Sequence, residues 1–203
     1  MYWQPLYAYV RRSGKDAEAA KDLVQGFLAL LLSKHSFEQA SPNGRRFRSF
    51  LLASLRNYLV SEARKQQATK RGGGVDLVPL EIEQAEEMFG TQSAEALTPE
   101  ASFDRQWAQT VWTRAVQRLR EEQRARGKER LFEALKPGLT EDRRPRHSQA
   151  AAALGLPVTA VALAMHRLRR RLKELVLEEL SQTVGSHGDL DVELAYFLSI
   201  WSS

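Results

Sequence analysis

The stretch Ser148–Leu175, SQAAAALGLPVTAVALAMHRLRRRLKEL, places two apolar segments on either side of a glycine and a proline. The first segment is rich in alanine, which has the highest helix propensity. Gly155 can adopt the left-handed conformation that closes a helix. The second segment has helical spacing and ends in a cluster of cations, namely Arg167, Arg169, Arg170 and Arg171. We therefore predict a helix over His147–Leu154, a tight turn and a longer second helix, which is typical of a helix-turn-helix.

The two faces of this predicted motif differ in composition. Small Ala150 and Ala151 allow close approach of the second helix, and the positions expected to pack are Leu154, Leu156, Val161 and Ala164. The positions left on the outer face are Thr159, Ala162, Leu163, His166, Arg167 and Arg170. A recognition helix enters the major groove by its N-terminal half and leaves cations near phosphates. Apolar spacing alone fits a plain helical hairpin equally well, and the arginines favour DNA binding.

The composition of the whole chain restricts the class of protein. The 203 residues carry a formal net charge of +5, which favours an anionic partner. The absence of cysteine excludes disulfides and thiolate metal sites. Abundant Ala, Leu, Glu, Gln and Arg and few alternating segments favour an all-α fold. The sequence has no apolar run of bilayer length, and MYWQPLYAYVRRSG lacks the order of a signal peptide, so we expect a cytoplasmic protein without membrane insertion.

Two amphipathic helices are predicted in the first half of the chain. The segment Asp16–Lys34 has an apolar stripe of Ala20, Leu23, Val24, Phe27, Leu28 and Leu31. The segment Phe47–Lys65 has one of Phe47, Phe50, Leu51, Leu55, Tyr58 and Leu59. A second, polar stripe on the latter contains Asn57, Ser61, Arg64 and Lys65. Such a stripe is usually a solvated face, but eight cations and one acid between positions 45 and 71 favour a polyanion.

The remaining segments indicate connections and further helices. Gly72–Leu97 is predicted to be an acidic linker, with one short helix near Gln84–Phe89. Thr98 and Pro99 are typical of a helix start, and the broad apolar face that follows is read as core. The segment Asp189–Trp201 has helical spacing and must pack on something. The four histidines are scattered and no catalytic, cofactor or metal motif is present, so we expect no enzyme activity and no cofactor.

Two separated regions resemble the extracytoplasmic-function (ECF) sigma factors of bacterial RNA polymerase. The segments DAEAAKDLVQGFLALLLSK and SPNGRRFRSFLLASLRNYLVSEARKQQATKRGGG are similar to region two of that family. The residues that carry this similarity are Asp22, Leu23, Gln25, Phe27, Arg46, Phe47, Arg48, Phe50, Leu51, Arg56 and Asn57. The helix-turn-helix ending in HRLRRRLKEL resembles region four. The phrases LTPE, GKERLFEALKPGLT and LEELSQTV resemble one branch of the family.

The resemblance implies two small helical domains joined by the acidic linker. The region-two domain would span 1–71, the linker 72–97, the region-four domain 98–182 and a C-terminal helical extension 183–203. The chain would then be a transcription initiation factor that binds core RNA polymerase and promoter DNA. An anti-sigma factor or another regulator is a further partner of the kind the family uses. The C-terminal helix would either cover the region-four domain as an internal inhibitor or complete its core.

The resemblance also implies three sets of site residues. Those implied to contact the clamp helices of the polymerase are Asp22, Gln25 and Gly26. Those implied to melt and hold the minus-ten element are Arg46, Phe47, Arg48, Arg56, Asn57, Ser61, Arg64 and Lys65. Those implied to read the minus-thirty-five element, with region four docked on the polymerase flap, are Thr159, Ala162, Leu163, His166, Arg167, Arg170 and Arg171. Aromatic and cationic side chains together suit single-stranded DNA.

The sequence departs from the family pattern, and these departures keep other hypotheses open. The non-family residues are Gly26 in place of glutamate, Gln149 in place of an acid, Pro157 in place of a cap residue and Ala162 in place of lysine. We expect Gly26 to weaken the polymerase contact and Gly26→Glu to tighten it. The chain begins inside the first helix of region two, so we expect a leader to be missing. The alternatives are a stand-alone helix-turn-helix regulator and a degenerate sigma-like polymerase adapter.

Overall fold

The computed structural model describes residues 2–33, 47–68, 97–139, 145–182, 184 and 187–201. Within these residues the chain is helical and has no strand, which confirms the predicted all-α class. The helices are α1 (Trp3–Arg12), α2 (Ala17–Ser33), α3 (Phe47–Ala68), α4 (Pro99–Ala125), α5 (Glu129–Leu135), α6 (Pro145–Leu154), α7 (Val158–Ser181) and α8 (His187–Trp201), with a short 3-10 helix at Lys136–Gly138 after α5. Nearly all of the predicted acidic linker, its short helix at Gln84–Phe89 and Arg46 lie outside the described residues.

Two helices begin at side chains that accept a hydrogen bond from the backbone. The Asp16 carboxylate accepts from the amide of Ala19 at 2.8 Å. The Thr98 hydroxyl accepts from the amide of Ala101 at 3.2 Å, and Pro99 is the first residue of α4. Each cap satisfies an amide that has no partner within its helix. The predicted start of α4 at Thr98 is confirmed.

The chain divides into two compact units. The first unit comprises Met1–Thr110 and Thr183–Ser203, and the second comprises Val111–Gln182. These units differ from the predicted domains in two places. The division falls inside α4 and not before it, and α8 belongs to the first unit.

The core of the first unit contains residues of α1, α2, α3 and the first part of α4. Helix α1 contributes a nearly continuous buried segment from Pro5 to Val10 and contacts α2. The largest fully buried side chains of this unit are Leu6, Tyr7, Phe27, Leu51, Leu55, Phe103 and Trp107. The predicted apolar stripes of α2 and α3 are confirmed, since their members are buried or packed against this cluster.

Helix α8 packs inside the first unit, against residues of α4 that were predicted to belong to the domain 98–182 and not against the helix-turn-helix. The ring of Phe197 meets the ring of Trp107 edge-on, with centroids 6.1 Å apart. The Tyr196 hydroxyl donates a hydrogen bond of 2.6 Å to Asp104 Oδ2. The Glu193 carboxylate, 1% exposed, accepts from Arg48 Nε at 3.1 Å. Helix α8 therefore joins α3 and the first part of α4 by both apolar and ionic contacts.

The second unit has its own core, formed by the second part of α4 and by α5, α6 and α7. Its buried apolar side chains include Val111, Ala115, Leu119, Phe132, Leu135, Ala151, Val161, Met165, Leu168, Leu172 and Leu175. These positions recur every three or four residues on α4 and on α7. Each helix thus buries one stripe, as expected for an amphipathic helix in a small domain. The aromatic residues of α4 were predicted to be core and not a stacking platform, and the burial of Phe103 and Trp107 in the first unit agrees.

Gly26 provides the space that lets α2 and α3 approach each other. A Cβ atom at this position would overlap the hydroxyl of Tyr58, and the next ring atom, Cζ, would lie at 3.5 Å. The Tyr58 ring is itself packed against Phe27, with centroids 5.7 Å apart. Burial, with a smaller contribution from the charge of Glu62, raises the pKa of Tyr58 to about 12. A glutamate at this position would therefore disturb this packing in addition to any effect on the polymerase contact, which stays a prediction.

We predict that Gly26→Ala lowers the free energy of unfolding of the first unit by about 1–3 kcal/mol. The overlap with Tyr58 outweighs the gain of about 1 kcal/mol in helix propensity. In a Tyr58→Phe background the same substitution should stabilise the unit, because only the Cζ contact at 3.5 Å remains. Urea unfolding of the four variants, followed by circular dichroism, measures both effects. Equal effects of Gly26→Ala in the two backgrounds would show that the hydroxyl is not the obstacle.

Candidate nucleic-acid interface

The turn between α6 and α7 has the hydrogen bonds of a Schellman motif. The amide of Leu156 donates to the carbonyl of Ala151 at 3.0 Å, and the amide of Gly155 donates to that of Ala152 at 3.4 Å. Gly155 has a φ of +65°, the left-handed conformation that this motif requires. The two helices meet at a bend of 111°, within the range of a helix-turn-helix. The predicted turn at Gly155 is confirmed.

We predict that Gly155→Ala costs the second unit about 1–2 kcal/mol through backbone strain. No atom outside its chain neighbours lies within 4 Å of a Cβ at this position, so steric overlap does not contribute. Asparagine tolerates the left-handed region better, and Gly155→Asn should cost less than Gly155→Ala. Hydrogen exchange of the α6 amides, measured by mass spectrometry, reports this local stability. The same loss of protection in both variants would contradict the role assigned to the φ angle.

The outer face of α7 carries the predicted duplex-binding residues. The exposed members are Thr159, Ala162, Leu163, His166, Arg167 and Arg170. The opposite face buries Val161, Met165, Leu168 and Leu172. The predicted inward positions Leu154 and Ala164 are half-buried. The prediction for Leu156 is wrong, because this side chain is 41% exposed beside the small Ala151.

Arg171 is paired with acids of the second unit, although the resemblance implied a contact with the minus-thirty-five element. Its guanidinium lies 2.8 Å from Glu122 on α4, and it also contacts Glu174 at 3.0 Å and Glu178 at 3.1 Å. The hydrogen bond from Arg171 holds the pKa of Glu122 below its usual range. The Arg169 guanidinium similarly donates to the carbonyl of Gly138 at 2.9 Å. Two arginines of the cluster thus make contacts within the protein fold.

The exposed cations of α7 are Arg167, Arg170 and Lys173. Arg170 lies 3.9 Å from Glu174, and its side chain is largely exposed. Lys173 is also exposed and was not predicted as a site residue. Its position three residues after Arg170 places it on a neighbouring part of the same face, and helical spacing alone could have identified it. The outer face therefore has an apolar first half and a cationic second half.

The predicted polar stripe of α3 lies along a shallow groove of the first unit. Asn57, Ser61 and Lys65 line this groove together with the aromatic residues Phe50 and Tyr58. Lys65 also contacts Glu62 at 2.8 Å. The combination of aromatic rings, polar groups and a cation is the type that binds unstacked bases. Asn57, Ser61 and Lys65 are exposed to solvent, as a contact with single-stranded DNA would require.

Two other cations of α3 have different surroundings. Arg64 is exposed and makes no ion pair with any residue that the structure describes. Arg56 is exposed, but its guanidinium pairs with Glu100 on α4 and donates to the Tyr9 hydroxyl at 3.2 Å. Hydrogen bonds to Tyr9 and Glu100 raise the pKa of Arg56. Arg56 would therefore have to exchange these partners for a phosphate.

Phe47 and Arg48 are held within the first unit, which corrects the expectation that they face DNA. Arg48 is 7% exposed and donates to Asp104 at 2.5 Å as well as to Glu193. Its guanidinium also lies 4.1 Å from the ring centroid of Tyr196, a cation–π contact. Phe47 is half-buried against Tyr2, with ring centroids 5.1 Å apart.

The predicted polymerase-contact residues of α2 differ in their exposure to solvent. Asp22 is exposed, Gly26 is half-buried beside Tyr58 and Gln25 is 3% exposed. Helix α2 contacts both α1 and α3, so a second side of it is covered. The expectation that Gln25 lies on the surface is therefore wrong.

Comparison with known proteins gave no match, whether with family models, curated proteins or solved structures. Among the described residues, no single helix is long and apolar enough to cross a membrane; α6 and α7 meet that criterion only as a bent pair. The same part of the chain contains no group of three His, Asp or Glu side chains arranged to hold a metal ion.

Proposed function

We propose that this chain is a promoter-recognition subunit of bacterial RNA polymerase, of the ECF sigma kind. The observation that carries the proposal is the outer face of α7, where six residues predicted to contact duplex DNA are exposed at a helix-turn-helix bend of 111°. A recognition helix needs such a face, with cations beyond its N-terminal half. The formal net charge of +5 supports an anionic partner.

The proposal divides the work between the two units. The second unit binds the minus-thirty-five duplex through α7 and docks on the polymerase flap. The first unit holds the minus-ten strand along the α3 groove through Asn57, Ser61 and Lys65, with Arg64 nearby. Asp22 on α2 contributes to the contact with the clamp helices. The chain catalyses no reaction and uses no cofactor, because the polymerase carries the chemistry, and it acts in the cytoplasm.

A second candidate function is a sigma-like adapter that binds polymerase without opening promoters. The burial of Arg48 favours it, since this implied minus-ten contact is engaged inside the first unit. Under this hypothesis the α3 groove does not hold single-stranded DNA. A stand-alone regulator would use only the helix-turn-helix and would bind duplex DNA without polymerase.

Run-off transcription tests these alternatives with the purified chain, core RNA polymerase and genomic DNA fragments. Discrete start sites that disappear when the chain is omitted are expected for the promoter-recognition subunit. Polymerase binding in a pull-down without any start site would favour the adapter. Duplex binding that is specific but independent of polymerase would favour the stand-alone regulator, and both results would contradict the leading proposal.

A further inference from the structure

The first half of the outer face of α7 is unusually apolar for a surface that contacts DNA. Leu163 is 50% exposed at the middle of this face, with Thr159 one turn before it and Arg167 one turn after it. Val158 is exposed to the same extent. Leu156, Val158 and Leu163 are three of the nine exposed large hydrophobic side chains among the described residues, and they fall within eight positions of the chain. An isolated exposed leucine is ordinary, but such a cluster points to an interaction surface.

The chemistry of the major groove limits what an exposed leucine can recognise there. The base edges present hydrogen-bond donors and acceptors, and the one apolar group among them is the C5 methyl of thymine. A leucine side chain placed over a guanine or cytosine edge would remove polar atoms from water without giving them a partner, which is unfavourable. Over thymine it would instead bury one apolar group against another.

The charge around Leu163 argues for DNA as the occupant of this surface. Arg167 and Arg170 lie one and two turns farther along the same face and are exposed. A helix that enters the groove by its N-terminal half brings its first turns to the bases and its later cations to the phosphates. An apolar protein partner would not require the cations to follow the apolar residues in this order.

We propose that Leu163, together with the methyl group of Thr159, selects duplex sites by contact with thymine C5 methyl groups. This inference rests on the proposed DNA binding by α7, and it identifies the chemical feature that is read. The adjacent Ala162, which also lacks a hydrogen-bonding side chain, leaves room for a methyl group. Recognition would then depend on the shape and the apolar surface of the groove more than on paired hydrogen bonds.

Substitution of thymine by deoxyuridine tests this inference, because it removes the methyl group and keeps the charge and the pairing. A duplex library with a randomised centre is synthesised with either base, and its binding to the full chain is measured with and without core polymerase. We expect wild-type protein to bind the thymine library more tightly, by about fourfold for each methyl contacted. Leu163→Ala combined with Thr159→Ser, which removes both apolar contacts and keeps the hydroxyl, should bind both libraries equally, at the affinity of wild type for the uracil library.

The control is Leu32→Ala, which removes an exposed leucine from α2 in the first unit and should keep the wild-type preference. Binding of both libraries with equal affinity by wild type would overturn methyl recognition and leave the proposed DNA binding intact. A preference that survives when both Leu163→Ala and Thr159→Ser are present would also overturn it, since the effect would then come from the DNA or from other residues. No binding to either library, with or without polymerase, would overturn both proposals.

Discussion

Replacement of Glu193 by alanine is expected to cost the first unit about 3–5 kcal/mol of its free energy of unfolding. Glu193 is 1% exposed and accepts a hydrogen bond from Arg48, whose guanidinium is withdrawn from water. Burial alone lowers the pKa of Arg48, but the hydrogen bond and charge of Glu193, followed by the charge of Asp104, outweigh it and raise the pKa. The variant leaves this cation buried with one anionic partner fewer. Urea unfolding and hydrogen exchange of the α3 amides measure the loss.

Two further variants separate the ion pair from other effects of the substitution. Asp191→Ala removes the same charge from an exposed position of α8 and should change stability by less than about 0.5 kcal/mol. The double variant Arg48→Met with Glu193→Leu removes the buried cation together with Glu193, so its loss of stability should be smaller than that of Glu193→Ala; the loss that remains comes from Asp104, which no longer has its guanidinium partner. If Glu193→Ala is as stable as Asp191→Ala, then α8 does not depend on this pair.

The stability of the Arg48 cluster determines how much of α3 is open to a ligand. The guanidinium is enclosed by the carboxylates of Asp104 and Glu193 and by the Tyr196 ring. Loss of this cluster would free Arg48, while the α3 groove residues Asn57 and Ser61 are already exposed with the cluster intact. A minus-ten contact in the proposed function therefore depends first on the groove and not on Arg48.

The helices and their buried and exposed faces were predicted from the sequence, because they depend on residues that lie close together along the chain. The stripe on α3 from Phe47 to Leu59 is buried or half-buried as spacing indicated. Gly155 has the positive φ that its place after an alanine-rich helix predicted. The outer positions of α7, such as Thr159 and Arg167, are exposed. Each of these features depends on residues three or four positions apart, where helical periodicity is informative.

Long-range pairing escaped prediction because helical spacing identifies only partners within the same helix. Arg48 pairs with a glutamate 145 positions away, and Arg171 pairs with Glu122, 49 positions away. Within a run of cations the sequence gives no means to distinguish an arginine that faces solvent from one that meets a distant acid. The burial of Gln25 was not predicted for a related reason, since the contacts of α2 with both α1 and α3 cover more than one side of the helix.

The cations that remain exposed on α7 lead to the second large expected effect, on DNA binding. Replacement of both Arg167 and Arg170 by alanine should reduce the slope of log binding constant against log salt by about 1.8, since each phosphate contact contributes about 0.9. At about 0.1 M salt this corresponds to an affinity for duplex DNA roughly 60-fold weaker. A salt titration of the full chain against duplex DNA, followed by fluorescence anisotropy, measures both quantities.

The matched control is the pair Arg126→Ala and Arg130→Ala, which removes the same charge from exposed positions of the second unit that are not part of α7. Long-range attraction alone would make the two double variants behave alike, because both lower the net charge by the same amount. If Arg167 and Arg170 contact phosphates directly, only the α7 variant should show a smaller slope of log binding constant against log salt. An unchanged slope for Arg167→Ala with Arg170→Ala would exclude α7 as the phosphate-binding helix. A reduced slope with the control at the wild-type value would locate counterion release at this face of the helix-turn-helix.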